Sequence, residues 1–315
     1  MTERIDGCPG KPGENEQDTR GPHTPRSIED LTAGLERVGY FADRGLATAL
    51  FLALRSRRPL LLEGEAGVGK TEAAKALCTM LGADFIRLQC YEGIDARQAL
   101  YDWDYPRQLL AAKLAQDGEV DSRLSVQDLY GPEFVVERPL MRALRAGEGA
   151  VLLVDEVDRA DDQFEALLLE LLSDFTISVP ETQETVRAAV PPVVVLTSNR
   201  TRELHDALRR RCAYVWIDPP DAQVESRIVQ ARLPGIEPRL AESVAATVAR
   251  IRELGLLKVP GIAETVDWAR ALALLGAHAV TVEAARVSLG WVVKTREDVE
   301  TVDAALEHAV VDAVS

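Results

Sequence analysis

The sequence predicts an α/β fold, a parallel sheet sandwiched by helices, followed by a separate C-terminal helical lobe. Three observations carry that reading. Residues 64–71, Gly-Glu-Ala-Gly-Val-Gly-Lys-Thr, form a complete G-x-x-x-x-G-K-S/T phosphate loop between an apolar run (59–63) and a helix-forming stretch (72–81). Short apolar runs alternate with helical patterns as far as Ile217, the signature of parallel strands covered on both faces. After Asp218-Pro219-Pro220 the strand signal stops and Ala, Val and Leu recur at helical spacing.

In chain order, residues 1–26 are polar and rich in Gly, Pro and charge, and read as a disordered tail. Ser27 and Asp30 look like a capped helix start ahead of Leu31, Leu35 and Val38. A second helix is expected over 46–55, then the strand, loop and helix of the phosphate motif, then a strand over 84–90. Residues 91–135 mix helical pieces (96–101 and 106–114) with polar turns, and Tyr91, Trp103 and Tyr105 form an aromatic group there, read as packing or as a partner contact. Pro139 opens a short helix to Arg145. A buried strand over 150–154, a helix over 164–172, a hairpin (176–179 and 185–189) and strands over 193–196 and 213–217 complete the first domain. The hairpin reads either as a moving substrate element or as a plain ribbon. The expected division is a tail at 1–26, a nucleotide domain at 27–218 and a helical lid at 219–315, with Trp268 and Trp291 in the lid core.

Composition narrows the classes. A hydrophobic fraction of 47% with 28% charged residues is that of a globular protein, and no apolar run reaches the ~18 residues that span a bilayer. No signal peptide is visible, and Cys8, Cys78, Cys90 and Cys212 lack metal or redox spacing, so a cytoplasmic protein with free thiols is expected. The net charge of −15 weighs against a sequence-independent grip on nucleic acid, which needs Lys and Arg to neutralise phosphates.

The chemistry is expected at the strand tips. In the loop (Gly64, Glu65, Ala66, Gly67, Val68, Gly69, Lys70 and Thr71), the glycines let successive N–H groups face a polyphosphate. Lys70 would reach the β- and γ-phosphates of a nucleoside triphosphate, and the Thr71 hydroxyl would hold Mg²⁺. The run Ala150–Val154 ends in Asp155-Glu156, where ligands bind in open α/β sheets. Asp155 is expected to contact Mg²⁺ through water and Glu156 to polarise the attacking water. Asn199, at the tip of the run beginning at Val193, could hold that water, sense the γ-phosphate or simply turn the chain. Arg209, Arg210 and Arg211 precede the last strand, where a guanidinium could reach a neighbouring subunit's γ-phosphate; the plain alternative is a solvated face. Such a trans arginine requires an assembly. His205 has no second ligand at metal spacing and reads as a surface or packing residue.

The order of phosphate loop, Asp-Glu strand, Asn-tipped strand, arginine group and helical lobe resembles an AAA+ ATPase. Within it, Leu61-Leu62-Glu63-Gly64 and Val154-Asp155-Glu156-Val157-Asp158-Arg159-Ala160 resemble the MoxR family. Three stretches (89–95, 197–208 and 260–270) look closer to its CoxD branch. The resemblance implies an ATP-hydrolysing ring, usually a hexamer, that acts as a chaperone with a von Willebrand factor A domain partner. The branch implies maturation of the metal centre of a carbon monoxide dehydrogenase-like client. By analogy with the Arg-Cys ending of clamp-loader ATPases, Arg211 is the expected trans arginine, with Arg210 in reserve. One departure stands out. Many relatives carry a γ-phosphate-sensing arginine at the start of a lid helix, where this chain has Glu264-Thr265, with Arg270 two turns on. The rivals are a P-loop small-molecule kinase, a nucleic-acid motor on the same fold and a non-catalytic nucleotide-gated adaptor.

Overall fold

The computed structural model describes residues 24–116, 128–179 and 184–310. Most of the expected tail (1–23), Cys8 and the tip of the expected hairpin (180–183) therefore lie outside the described residues. The chain divides into two compact units that interleave in sequence. The first is built chiefly from Gly45–Glu63 and Leu77–Val215, the second from Glu29–Arg44, Gly64–Ala76 and Trp216–Ser315.

The first unit holds the sheet. Its strands, with those of two small ribbons, are β1 (Leu60–Glu63), β2 (Asp84–Gln89), β3 (Tyr101–Trp103), β4 (Val135–Glu137), β5 (Ala150–Asp155), β6 (Thr176–Val179), β7 (Glu184–Arg187), β8 (Val193–Ser198) and β9 (Ala213–Trp216). Five of them form one sheet in the order β2-β5-β8-β1-β9, and the β2–β5, β5–β8 and β8–β1 ladders are parallel. Burial follows that order. Every residue of β1 and β5 is buried, as interior strands with covered faces require, whereas the edge strand β2 buries Ile86 and Leu88 only. The chain passes from β1 to the far edge before returning, so β1 lies between strands made later and the order reverses beside it. Because the strands run parallel, the C-terminal residues Glu63, Gln89, Asp155 and Ser198 share one edge of the sheet.

The ribbons pair β3 with β4 and β6 with β7, both antiparallel. The second is the expected hairpin. The first was not signalled, because three-residue strands over thirty residues apart leave no periodicity to read. It also revises the aromatic group: Trp103 is buried against the ring edges of Tyr101 and Tyr130, with centroids 6.3 and 5.2 Å away, while Tyr91 and Tyr105 are exposed.

Helices follow the pattern of the sequence: α1 (Ile28–Arg37), α2 (Arg44–Ser56), α3 (Lys70–Leu81), α4 (Ala96–Ala99), α5 (Tyr105–Gln116), α6 (Pro139–Ala146), α7 (Asp162–Asp174), α8 (Asp206–Arg211), α9 (Ala222–Arg232), α10 (Pro238–Arg252), α11 (Ile262–Leu274), α12 (Val282–Ser288) and α13 (Arg296–Ala309). In the second unit, α9 to α13 enclose a core around Val244, Val248, Trp268, Leu272, Val302 and Leu306. Trp268 is fully buried and its indole N–H donates to Ser288 Oγ at 2.8 Å, which satisfies the one polar atom the ring brings inside. Trp291 does not join that core. It lies on the short turn after α12 and stays 54% exposed.

Candidate functional site

The phosphate loop occupies 64–71, and α3 begins at Lys70, so the loop ends in a helix N-terminus. Gly67 and Gly69 have positive φ values of 83° and 95°, which turn successive amides to one side. Lys70 is buried, and its ammonium donates to the carbonyls of Gly64 at 2.8 Å and Glu65 at 2.6 Å, drawing the loop around it. Thr71 is half-buried one residue into α3, and Val68 is buried, whereas Glu65, Ala66 and Gly67 are exposed. A curled run of amides, a lysine and a hydroxyl at a helix N-terminus suit a polyphosphate with a hard cation.

A contact that no motif announced belongs to the same unit. The N-terminus of α11 meets the loop main chain to main chain: Ile262 N–H donates to Gly67 O at 3.0 Å. A Cβ on Gly261 would lie 2.7 Å from Gly67 Cα, and one on Gly67 would lie 2.9 Å from Gly261 Cα. Only two glycines fit there. The Pro260-Gly261 pair ahead of a helical pattern was the one available signal. Glu264 accepts from Gly261 N–H at 3.0 Å and caps its own helix. Arg270 is exposed further along α11 and pairs with Asp267 at 3.8 Å.

In the first unit, β5 ends in a buried carboxylate whose two oxygens have different partners. Thr197 Oγ1 donates to Asp155 Oδ1 at 2.5 Å, and Arg87 reaches Oδ2 with Nε at 2.9 Å and a terminal nitrogen at 2.6 Å. Glu156 adopts left-handed backbone (φ 55°, ψ 50°), an uncommon conformation for a residue with a side chain and one concentrated at functional sites. The Glu156 N–H donates to Thr197 Oγ1 at 2.9 Å, so one hydroxyl ties both acidic residues to β8. The Glu156 carboxylate receives Gln89 Nε2 at 3.1 Å on Oε2 and Asn199 Nδ2 at 3.4 Å on Oε1, with Arg159 3.2 Å from Oε2.

Asp158, also buried, accepts from Asn199 N–H at 3.2 Å, Thr201 N–H at 2.8 Å and Thr201 Oγ1 at 2.7 Å, and so fixes the turn that carries Asn199. Burial pushes the Cys90 thiol up to about 12, reinforced by Asp155, Asp158 and Glu156, so it stays a neutral packing residue. The sequence-predicted trio Asp155, Glu156 and Asn199 is thus brought together. Thr197, Gln89 and Arg87 join it without a signature, since nothing in the pattern separates a strand-tip Thr or Gln from any other.

Arg210 and Arg211 lie exposed in the last turn of α8, Arg210 3.9 Å from Asp206. Arg209 instead lies over the Tyr214 ring, 5.8 Å from its centroid. Their main-chain carbonyls have an unexpected partner. Arg58 donates to Arg211 O through Nε at 2.9 Å and to Arg210 O through a terminal nitrogen. His205 is exposed ahead of α8, as expected for a surface residue.

Residues 59–212 match the AAA domain (dynein-related subfamily) family. Among curated proteins, the chain is 24% identical to midasin of Giardia intestinalis over 220 residues, which is 66% of this chain and 4% of that one. It is 26% identical to protein NorQ of Paracoccus denitrificans over 230 residues, 70% of this chain and 71% of NorQ. An uncharacterised protein of Staphylococcus saprophyticus matches at 25% over 56% of this chain and 62% of its own length. The chain thus spans less than two thirds of the length of midasin and of the Staphylococcus protein. Among solved structures, it is similar to the Thermotoga maritima RuvB Holliday junction branch migration motor at a TM-score of 0.46 and 20% identity, over 85% of this chain and 72% of that one. No helix among the described residues is long and apolar enough to cross a membrane. Residues 59–212, the stretch that matches this family, carry the phosphate loop and most of the parallel sheet, and a helical region follows them in the chain.

Proposed function

We propose that the protein is an ATP-hydrolysing, MoxR-type chaperone that works as a ring, with a domain division at 218/219. The observation that carries this reading is the held geometry of Glu156. Each of its carboxylate oxygens takes an amide donor, from Gln89 or Asn199, and its left-handed backbone is tied to β8 through Thr197. A carboxylate aimed in this way suits a general base for water, and a general base contributes about 10²–10⁴-fold to a rate.

The other roles follow by residue chemistry. The loop from Gly64 to Thr71 holds the phosphates, Lys70 balances their charge, and Thr71 with Asp155 offers hard oxygen donors for Mg²⁺. When bound, Mg²⁺ would neutralise charge on the β- and γ-phosphates. Asn199 orients the water or the γ-phosphate. Arg211, with Arg210 in reserve, acts on the nucleotide of the neighbouring subunit, which makes assembly a condition of turnover. The finer reading is a cytoplasmic, CoxD-like hexamer that uses a von Willebrand factor A domain partner to mature the metal centre of a carbon monoxide dehydrogenase-like client. It is supported by the MoxR and CoxD resemblance of residues 61–64, 89–95, 154–160, 197–208 and 260–270.

The test is steady-state ATPase activity across protein concentration, with light scattering on the same samples, for wild type, Arg211→Ala and Glu156→Gln. Activity per chain should rise with assembly. Arg211→Ala should lose most of that rise, about 10³-fold or more for a full arginine finger. Glu156→Gln should assemble and bind ATP with little turnover. A monomer of constant specific activity that ignores Arg211→Ala would remove the ring reading and favour a P-loop kinase.

A further inference from the structure

The arginine-bearing turn of α8 ends in two carbonyls that the helix itself cannot satisfy. Cys212 N–H turns back to Arg209 O at 3.2 Å, and the carbonyls of Arg210 and Arg211 are taken by Arg58. One planar guanidinium thus spans two consecutive carbonyls, a task that suits the fixed fork of arginine better than the single nitrogen of lysine. Arg58 is itself aimed by its backbone. Arg57, immediately before it, has φ 55°, and Arg58 N–H donates to Ala53 O at 3.1 Å, closing the end of α2. A second tie lies beside the first: Ala213 N–H donates to Pro59 O at 2.8 Å. Between these ties, Leu208 and Cys212 are buried while the Arg210 and Arg211 side chains point to solvent. Arg58 is exposed, so the core does not depend on it.

We propose that Arg58 is a positioning residue for the trans arginine: by holding the Arg210 and Arg211 carbonyls, it sets the direction in which those side chains leave the subunit. This rests on the reading of Arg211 given above. Arg58 touches no substrate and acts only through its neighbours' main chain. Its loss therefore harms the next subunit's turnover and leaves its own nucleotide binding intact. A displacement of about 1 Å at a group acting on a transition state costs on the order of 10²-fold in rate.

The experiment compares Arg58→Ala, Arg58→Lys, Arg211→Ala and wild type at ring-forming concentration, reading kcat and KM for ATP separately. Arg58→Ala is then mixed with excess Glu156→Gln protomers, which keep Arg58 and Arg211 but turn over little. Arg58→Ala should lose about 10²-fold in kcat with KM unchanged, and Arg58→Lys should recover part of it. The mixture should turn over faster than the sum of its components, because intact arginines then face intact Glu156 sites. A mixture that merely adds would overturn the proposal, showing that Arg58 serves its own subunit. A wild-type rate for Arg58→Ala beside an impaired Arg211→Ala would also overturn it and leave the trans arginine standing. A wild-type rate for Arg211→Ala would instead remove the trans arginine, and this role of Arg58 with it.

Discussion

At the scale of single residues, Thr197 does work that no motif assigns to it. Its hydroxyl donates to Asp155 and accepts from the Glu156 amide, so it sets the spacing between the two acidic residues of β5. Thr197→Val keeps the shape and removes both bonds, leaving a buried carboxylate oxygen and a half-buried amide each one hydrogen bond short. The expected cost is about 2–6 kcal/mol of stability, from ~1–3 kcal/mol for each group that loses its bond, read by urea unfolding. ATPase activity should fall further than stability alone explains, because Glu156 loses its tether; unchanged kcat in a folded variant would refute this role. Asp155, Glu156 and Asn199 were legible in the sequence because a strand tip in a parallel sheet is a place, and a carboxylate or amide there has a role to fill. Thr197 and Gln89 were not, because their roles depend on which strands are neighbours. The order β2-β5-β8-β1-β9 cannot be read from alternation alone.

At the scale of elements, the helical unit hides an ion pair. Glu225 on α9 is fully buried and meets Arg252, at the end of α10, with both oxygens at 2.6 and 2.7 Å; Thr265 on α11 donates to the same carboxylate at 2.6 Å. One carboxylate therefore joins three helices. Removing its partner leaves a buried charge, which typically costs about 3–5 kcal/mol, whereas replacing the pair with apolar groups of similar volume is often neutral. Arg252→Ala should accordingly lower the urea midpoint sharply, and Glu225→Leu with Arg252→Met should restore much of it. An Arg252→Ala variant of wild-type stability would show the pair to be dispensable. The helical lobe itself was legible from spacing, and Trp268 as its core followed. Trp291 did not, because a 3₁₀ turn after α12 breaks the period that assigned it inward.

At the scale of the molecule, the charge of −15 and the exposed arginines of α8 pull in opposite directions. An acidic chain repels a polyanion at a distance, and only a contact that brings Arg210 and Arg211 close to a phosphate can use them. Added double-stranded DNA should therefore leave the ATPase rate unchanged at moderate salt. Stimulation that fades as salt rises would instead indicate a nucleic-acid motor.

The apposition of Gly67 and Gly261 has a consequence for inheritance. It joins the phosphate loop to α11 by a main-chain hydrogen bond and a close backbone approach. A substitution at either position cannot be rescued by trimming a neighbour, because the atom it strikes is backbone. The two codons are thus bound to stay glycine together while the residues around them drift. A saturation scan scored on ATP binding should find two intolerant positions nearly two hundred residues apart in the chain, where a Cβ on Gly261 would lie 2.7 Å from Gly67 Cα.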